Sequence, residues 1–262
     1  MKKAEAVADQ QILNVEGLTK RFGGLTAVDS VSFRIAKGEI FALIGPNGAG
    51  KTTLFNTVTG IYSPTAGRVS FEGNEITGLK PFRVAELGIA RTFQQIRLFS
   101  YMTALDNVRV GEHSRMHAKV WDALFKTRTA RTEEARVTEK AMELLSFVGI
   151  QQHAHNYARN LPYGHQRRLE IARALASDPR LLLLDEPAAG ATPQEKRELM
   201  ALVQKVRSEG VTILLIEHDM RVVMGISDRI VVLDYGEKIA EGKPEEVRRD
   251  RRVIEAYLGK SA

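Results

Sequence analysis

The stretch from Gly45 to Thr53 constrains the fold more than any other part of the chain. It reads Gly45-Pro46-Asn47-Gly48-Ala49-Gly50-Lys51-Thr52-Thr53, follows the apolar run Ile40–Ile44 and leads into a segment that favours a helix. Strand, glycine-rich turn and helix in this order are typical of a phosphate-binding loop. The glycines let successive N–H groups point inwards, and the helix start adds a positive dipole, so the pattern predicts a nucleoside triphosphate site.

Two side chains of this loop carry specific chemistry. We expect Lys51 to reach the β- and γ-phosphates and the hydroxyl of Thr52 to ligate Mg²⁺. The alternative is a glycine turn without function. That alternative is disfavoured because average composition gives the full pattern by chance in only about 1% of chains of this length.

Composition excludes several classes of protein. The 262 residues include no cysteine, so neither a disulfide framework nor a thiolate zinc site is expected. Residues 1–11 are polar and predict a disordered tail, and no apolar run approaches the length of a membrane span. The net charge of +6 is scattered along the chain, which favours a solvated surface over a nucleic-acid module, with a membrane-facing surface as the alternative.

The order of the segments predicts the architecture. Alternating segments before and after the loop, such as the predicted strand Ile12–Glu16, indicate an antiparallel β portion. Residues 94–177 instead show helical periodicity, which predicts helices over 105–109, 120–125 and 132–148. Strands and helices alternate again from residue 178. We therefore expect an α/β fold with a P-loop NTPase (RecA-like) core over 12–93 and 178–262, the antiparallel β portion and an inserted α-helical subdomain over 94–177. Together, residues 12–262 form a single nucleotide-binding domain in this interpretation.

Two carboxylates follow a second buried strand. The run Leu181–Leu184 ends in Asp185-Glu186, at the strand tip where α/β sheets bind ligands. Asp185 is expected to hold Mg²⁺, and Glu186 to polarise the water that attacks the γ-phosphate. A capping pair before Pro187 is the alternative, and the phosphate loop in the same chain favours the catalytic interpretation.

The order of the motifs resembles the nucleotide-binding domain of ATP-binding cassette (ABC) transporters. The phosphate loop is followed by Gln94, Leu161-Pro162-Tyr163-Gly164-His165, Asp185-Glu186 and His218, so that the resemblance covers nearly the whole chain. It implies ATP and Mg²⁺ as ligands and ATP hydrolysis as the activity.

The resemblance also implies roles for single residues. Phe22 would stack on adenine, worth roughly 1–3 kcal/mol, unless it is a core residue near a turn. Gln94 would contact Mg²⁺ and the attacking water, and His218 the γ-phosphate; an exposed glutamine and a structural histidine are the alternatives. Thr192 stands where this family commonly has an aspartate or asparagine that contacts a second cassette.

The family signature departs from its usual form. Where Leu-Ser-Gly-Gly-Gln is common, this chain has Leu161-Pro162-Tyr163-Gly164-His165, and Pro162 brings neither a hydroxyl nor an N–H. Tyr163, Gly164 and His165 would still offer donors at a helix start to ATP held by another cassette. An ordinary helix start is the alternative.

The sequence in and around the motifs resembles that of the LivG-type ATPases of branched-chain amino acid importers. The similar stretches include Arg91-Thr92-Phe93-Gln94-Gln95-Ile96-Arg97-Leu98-Phe99, Glu217-His218-Asp219-Met220 and the ending Ala256-Tyr257-Leu258-Gly259. The longer linker over 113–131 also resembles this type. A urea or lipopolysaccharide transport ATPase is the alternative within transport, and a soluble cassette acting on ribosomes or DNA is the alternative outside it.

Partners follow from this resemblance. They are transmembrane permease subunits, a second ABC ATPase subunit and, indirectly, a periplasmic or extracellular binding protein, with no nucleic acid. The protein would lie peripherally on the cytoplasmic face of the inner (plasma) membrane. We expect residues 94–101, with apolar Ile96, Leu98 and Phe99, to contact the permease, unless Leu98 and Phe99 fill the core of the helical subdomain.

Overall fold

The computed structural model describes residues 11–112 and 128–258, and these contain ten strands and nine α-helices. The strands are β1 Gln11–Phe22, β2 Leu25–Ala36, β3 Ile40–Ile44, β4 Ala66–Phe71, β5 Asn74–Glu75, β6 Ile89–Arg91, β7 Leu181–Asp185, β8 Thr212–Ile216, β9 Arg229–Asp234 and β10 Glu237–Gly242. The helices are α1 Lys51–Val58, α2 Pro81–Glu86, α3 Ala104–Glu112, α4 Arg128–Phe147, α5 Tyr163–Leu175, α6 Pro193–Ser208, α7 Met220–Ile226, α8 Pro244–Val247 and α9 Arg251–Leu258.

The chain divides into two compact units. Unit 1 comprises residues 1–89 and 180–262, and unit 2 comprises residues 90–179. Unit 2 thus begins at Ala90 and ends at Pro179, where the sequence patterns suggested residues 94 and 177. The short strand β6, which we did not predict, contains the first of these boundaries.

A six-stranded sheet in the order β10-β9-β3-β8-β7-β6 organises the α/β part. Strands β9, β3, β8 and β7 pair in parallel, and Leu43 lies opposite Ile216, which lies opposite Asp185. Every residue of β3, β7 and β8 is buried, as expected for central parallel strands. The carboxyl ends of three neighbouring strands therefore meet at one edge, immediately before the phosphate loop, Glu186 and Glu217.

A four-stranded antiparallel sheet in the order β2-β1-β4-β5 forms the rest of unit 1. Strand β1 is longer than the predicted Ile12–Glu16, because register shifts against β2 let it bend and continue to Phe22. Gln11, which we assigned to the tail, is its first residue and pairs with Ala36. The remainder of the predicted tail, residues 1–10, lies outside the described residues.

The two sheets of unit 1 share a hydrophobic core. It includes residues of both sheets and of α1, such as Leu54 and Phe55. Phe33 of β2 stacks on Phe41 of β3, with ring centroids 5.3 Å apart. Strand β3 and helix α1 both pack into this core, and the phosphate loop that joins them is therefore anchored at its two ends.

Unit 2 is largely helical. The predicted helix over Thr132–Val148 is found as α4, whose Val137, Ala141 and Leu145 are buried on one face. Helices α3 and α5 approach closely at Gly111, where a Cβ atom would stand 2.2 Å from the carbonyl oxygen of Arg173. The predicted helix at residues 120–125 lies outside the described residues.

None of the helices within residues 11–112 and 128–258 combines the length and apolar character needed to cross a lipid bilayer.

Candidate nucleotide-binding and hydrolysis site

The loop between β3 and α1 needs glycine at two of its positions. Gly45 and Gly50 have φ of 151° and 96°, and a Cβ atom there would stand 2.1 Å from the oxygen of Leu233 and 2.3 Å from that of Ala27. Only glycine allows both the backbone conformation and the contact. The close approach of neighbouring backbone on these sides holds the loop in one curled shape.

The opposite side of the loop is open. Gly48 also has a positive φ, of 82°, yet nothing lies within 4 Å of the position of its missing Cβ atom. Asn47, Gly48 and Thr52 are exposed, while Ala49 is buried. An exposed backbone turn at the start of a helix provides N–H donors and positive dipole to an anion.

The side chain of Lys51 folds back onto the start of its own loop. This side chain is buried and its Nζ donates hydrogen bonds to the carbonyl oxygens of Gly45 (2.7 Å) and Pro46 (2.9 Å). Burial lowers the pKa of Lys51, and the negative charges of Glu186 and Asp185 oppose that shift. The lysine and both predicted carboxylates therefore act on one another across the sheet edge.

Glu186 and His218 come together at this edge. Glu186 follows β7 with φ of 46°, a left-handed conformation that is unusual for a residue with a side chain. Its N–H donates a 2.9 Å hydrogen bond to the carbonyl of Ile216 at the end of β8. Its Oε2 lies 3.6 Å from Nδ1 of His218. Asp185 is the last residue of β7 and is buried.

Glu217 was missed in the sequence analysis. Its buried carboxylate accepts hydrogen bonds from the N–H groups of Ala188 (2.7 Å), His218 (3.1 Å) and Asp219 (3.4 Å). Burial raises the pKa of Glu217, and these three N–H donors oppose the shift. Glu217 thus joins the loop after Glu186 to the loop that carries His218. Its signal in the sequence was a charged residue directly after a fully apolar strand.

The loop after Glu217 is also held by charge. Lys196 of α6 contacts Asp219 at 2.7 Å, and this hydrogen bond is the main reason that the pKa of Asp219 falls to about 2. Asp219 also caps α7 by accepting from the N–H of Arg221. Both sides of His218 are therefore fixed to neighbouring elements.

Thr192, which stands where the family commonly has an aspartate or asparagine, caps the start of helix α6. Its hydroxyl accepts from the N–H of Glu195 and donates to the Glu195 carboxylate, which also accepts from the N–H of Thr192. This reciprocal arrangement is a capping box. In the isolated chain, Thr192 therefore has a local structural role.

Phe22 ends β1 and is partly exposed. Its ring meets that of Tyr62 edge to face, with centroids 5.2 Å apart, and Nζ of Lys20 lies 4.9 Å from the Phe22 centroid. Lys20 is itself held by the carbonyl oxygen of Ser63 at 2.8 Å. The Phe22 ring is not a core residue, and Tyr62, which the sequence analysis missed, supports one side of it.

Gln94, in unit 2, is held through its backbone. Arg167 of α5 donates hydrogen bonds to the carbonyl oxygens of Phe93 (2.8 Å) and Gln94 (2.6 Å). Glu170, one turn further along α5, is buried and accepts from the N–H groups of Phe93 and Arg97. Burial raises its pKa, and the hydrogen bond from Arg97 is the largest opposing effect. Gln94 itself is exposed.

The signature residues form the first turn of α5. Pro162 precedes the helix without a side-chain cap, while Tyr163 is 47% exposed and its hydroxyl accepts a 2.9 Å hydrogen bond from Arg167. The ring of His165 lies against that of His153, with centroids 4.9 Å apart. The signature and the Gln94 segment therefore share Arg167 as a common contact within unit 2.

Comparison with known proteins assigns a family. The family described as "ABC transporter" matches residues 28–189, and that described as "Branched-chain amino acid ATP-binding cassette transporter" matches residues 237–262. A high-affinity branched-chain amino acid transport ATP-binding protein, BraF of Pseudomonas aeruginosa, is 49% identical, covering 95% of this chain and 98% of the relative. The LivG protein of Salmonella typhimurium, named for the same transport, is 47% identical, covering 96% and 99%.

A solved structure agrees with these sequence relatives. The crystal structure of a nucleotide-free ATP-binding cassette from an ABC transporter has a TM-score of 0.84 and 34% identity, covering 95% of this chain and 100% of that chain. The predicted fold class and the predicted resemblance are both confirmed. The chain belongs to the ABC transporter family, as an ATP-hydrolysing cassette from the branch of the branched-chain amino acid transport ATP-binding proteins.

Proposed function

We propose that this protein is the motor subunit of an importer that takes up branched-chain amino acids. The observation that carries this substrate class is the match of residues 237–262 to the branched-chain family, together with the names of the relatives. The observation that carries the motor role is the juxtaposition of Lys51, Glu186 and His218 at one sheet edge. Substrate choice would lie with the permease and the binding protein.

ATP would bind on the open side of the phosphate loop. The N–H groups of Asn47, Gly48 and Gly50 would donate to phosphate oxygens, and Lys51 would exchange its loop carbonyls for the β- and γ-phosphates. Thr53 lies in the first turn of α1, beside the same donors. Phe22, steadied by Tyr62, would stack on adenine.

Hydrolysis would depend on Glu186. Its left-handed backbone and its contact with His218 support this role, in which the carboxylate would polarise the attacking water. His218 would contact the γ-phosphate, so that nucleotide binding and the position of Glu186 become linked. By the family resemblance, Gln94 would also contact this water.

The donors suit Mg²⁺. Thr52 offers an exposed hydroxyl, Asp185 a carboxylate at a strand tip, and Gln94 an amide oxygen. Within residues 11–112 and 128–258 no group of three or more acidic, histidine or cysteine side chains could hold a metal by itself. Mg²⁺ typically uses one or two carboxylates and completes its shell with substrate phosphates and water. When bound, it would neutralise charge on the phosphates.

A complete site would need a second cassette. Tyr163, Gly164 and His165 begin a helix whose N–H groups could face ATP held by another ABC ATPase subunit, identical or different. Pro162 contributes no hydroxyl there. ATP would favour the closed pair, and hydrolysis would release it.

The wider assembly follows from the family. Residues 12–262 would act as one nucleotide-binding domain with residues 94–177 as its helical subdomain, peripheral on the cytoplasmic face of the inner (plasma) membrane. Transmembrane permease subunits would dock on it, and a periplasmic or extracellular binding protein would deliver the substrate. No nucleic acid takes part.

Reconstitution tests this proposal. The protein would be purified from its native membrane with its attached subunits, placed in proteoliposomes and tested for ATP-dependent uptake of radiolabelled leucine. Glu186→Gln, assembled in the same way, should abolish uptake. Attached subunits that instead move urea or lipopolysaccharide would replace the substrate assignment, and a preparation attached to ribosomes or DNA would overturn the transport role.

A further inference from the structure

A cavity of about 540 Å³ lies on unit 1, and none of the predicted catalytic residues is among the described residues that line it. Most of its wall is apolar, from the end of β3, from α7 and from α9: Ile44, Met220, Met224, Val253, Ile254 and Tyr257. Its volume is within the range of small-molecule sites, about 300–1,000 Å³.

The most buried residue of the cavity lining is Ile44, and its two methionines have adaptable side chains. Ile44 is fully buried and packs with Val223 and Val253 in a second hydrophobic cluster. Met220 and Met224, which pack against that cluster, have flexible and polarizable side chains that accommodate varied apolar shapes. Ile254, at 44% exposed, leaves apolar surface uncovered at the mouth.

Positive charge completes the lining. Arg221 and Arg248 are both exposed, and among the described residues no acidic side chain lines the cavity. The nearest carboxylate to Arg221, that of Asp219 at 3.6 Å, is already bound by Lys196 at 2.7 Å. Guanidinium groups bind carboxylates with two parallel hydrogen bonds. The lining therefore complements an anion attached to an apolar body.

We propose that this cavity binds a small amphipathic carboxylate, with its hydrocarbon against Met220, Met224 and Ile254 and its carboxylate at Arg221 and Arg248. The chain's own ends suit the site poorly. Residues 259–262 are Gly-Lys-Ser-Ala, without a large apolar side chain and with a lysine that two arginines would repel. Residues 1–10 contain only Met1 and Val7 as large apolar side chains.

Two residues that line this cavity, Ile44 and Tyr257, are adjacent to the first glycine of the phosphate loop. Ile44 directly precedes that glycine, Gly45. The Tyr257 hydroxyl is close enough to the N–H of Gly45 for this donor to oppose the rise in pKa that burial gives Tyr257. A ligand that contacts Tyr257 therefore changes the surroundings of the Gly45 amide.

Octanoate is the probe, with 1-octanol and octylammonium as controls of equal length. Calorimetry on the full-length protein should detect octanoate binding that is tighter than that of either control. The Arg221→Gln/Arg248→Gln double variant should weaken octanoate by about tenfold and leave octanol unchanged. Arg249→Gln, an exposed arginine outside the lining, is the matched control and should bind as wild type. ATP binding by each variant verifies its fold.

The location is tested separately by NMR on protein labelled with ¹⁵N-glycine. Octanoate should shift the Gly45 amide signal, and Tyr257→Phe should reduce that shift while octanoate still binds. Equal affinity for octanoate and octanol, or an unchanged double variant, would refute the carboxylate site. Binding that appears only after deletion of residues 259–262 would make the chain's own end the occupant. Octanoate-dependent loss of a dimer would make the cavity an interface between copies of the chain.

Discussion

The guanidinium of Arg167 donates a 2.6 Å hydrogen bond to the backbone carbonyl of Gln94. The same guanidinium reaches the hydroxyl of Tyr163 at 2.9 Å and the carboxylate of Glu170 at 3.4 Å. One buried cation therefore holds both the segment that carries Gln94, the predicted contact for Mg²⁺ and the attacking water, and the first residue of the signature helix. The two segments therefore share one side chain as a direct physical link.

Arg167→Ala should destabilise the protein by about 3–5 kcal/mol, because it removes the cation that contacts the buried carboxylate of Glu170 and, among the described residues, leaves only the charge of Arg173 near it. The free energy of unfolding in urea measures this loss. Arg159→Ala, at an exposed arginine of the same unit, is the control and should change it by less than about 0.5 kcal/mol. A wild-type value for Arg167→Ala would show that the two hydrogen-bonded carbonyls and Glu170 do not depend on this residue.

Glu186→Gln should bind ATP but hydrolyse it at least about 10²-fold more slowly, since a positioned general base contributes roughly 10²–10⁴-fold. The 3.6 Å contact with His218 and the strand-tip position motivate this expectation. Phosphate release gives the rate, and calorimetry gives the affinity. Glu209→Gln, at an exposed glutamate after α6, serves as control. Turnover near that of wild type would remove Glu186 from the role of base.

Lys51→Ala should weaken ATP binding by about 10- to 100-fold, in line with the loss of a charge-assisted hydrogen bond. Hydrolysis should fall with it, because the lysine neutralises charge in the ground state and in the transition state. Calorimetric titration with ATP measures the affinity, and Lys80→Ala, at an exposed lysine, is the control. Unchanged affinity would contradict contact between Lys51 and the phosphates.

Glu217→Gln should make stability less dependent on pH. Burial raises the pKa of Glu217 above its ordinary value of 4.5, so the folded protein keeps a proton that the unfolded chain releases. This contribution to stability is complete below about pH 4.5 and is lost as the pH rises through the raised pKa. The free energy of unfolding should therefore fall less steeply above about pH 4.5 in the variant.

The control for this pH series is Glu209→Gln, which should keep the wild-type slope. Glu170, whose pKa burial also raises, remains in both variants, so the slope should be reduced and not abolished. Identical slopes for Glu217→Gln and wild type would show that Glu217 exchanges no proton on unfolding.

Phe99→Asp should leave the isolated protein folded and able to bind ATP, but prevent assembly with the permease. Phe99 is 48% exposed, and the guanidinium of Arg173, 5.8 Å from its ring, would form an ion pair with the new aspartate. Co-purification with the permease is the measurement. Phe82→Asp, an exposed phenylalanine beside Arg83, is the matched control and should still assemble. An unfolded Phe99→Asp protein, or one that still co-purifies, would contradict the contact surface.

Local patterns were enough to predict the central strands and the phosphate loop. Runs such as Leu181–Leu184 are apolar throughout, as is typical of a strand that is buried on both faces. Glycines at this spacing between a strand and a helix are typical of a phosphate-binding loop. Strand β6 and helix α2 were missed because they are too short to show a period. Their positions are set by tertiary contacts such as the one between Arg180 and the carbonyl of Gly88.

The supporting residues of the site were harder to predict. Glu217 and Arg167 are charged side chains beside motifs, and only the fold shows that they are buried and contact distant backbone groups. Tyr62 contacts Phe22 from a position far along the chain, a pairing that local sequence patterns do not indicate. Residues that are predicted to contact ligands belong to recognisable sequence motifs. The residues that support them are identified only by their neighbours in the folded structure.

The capping box at Thr192 also bears on association. Its hydroxyl proton is directed to Glu195, and the Glu195 carboxylate returns to the N–H of Thr192, so that the entrance to α6 is ordered in the isolated chain. A second protein that binds this segment contacts a surface that is already ordered. Ordering the segment on binding therefore costs little conformational entropy. The shape of this segment is therefore set before any encounter, by a threonine and a glutamate of the same helix.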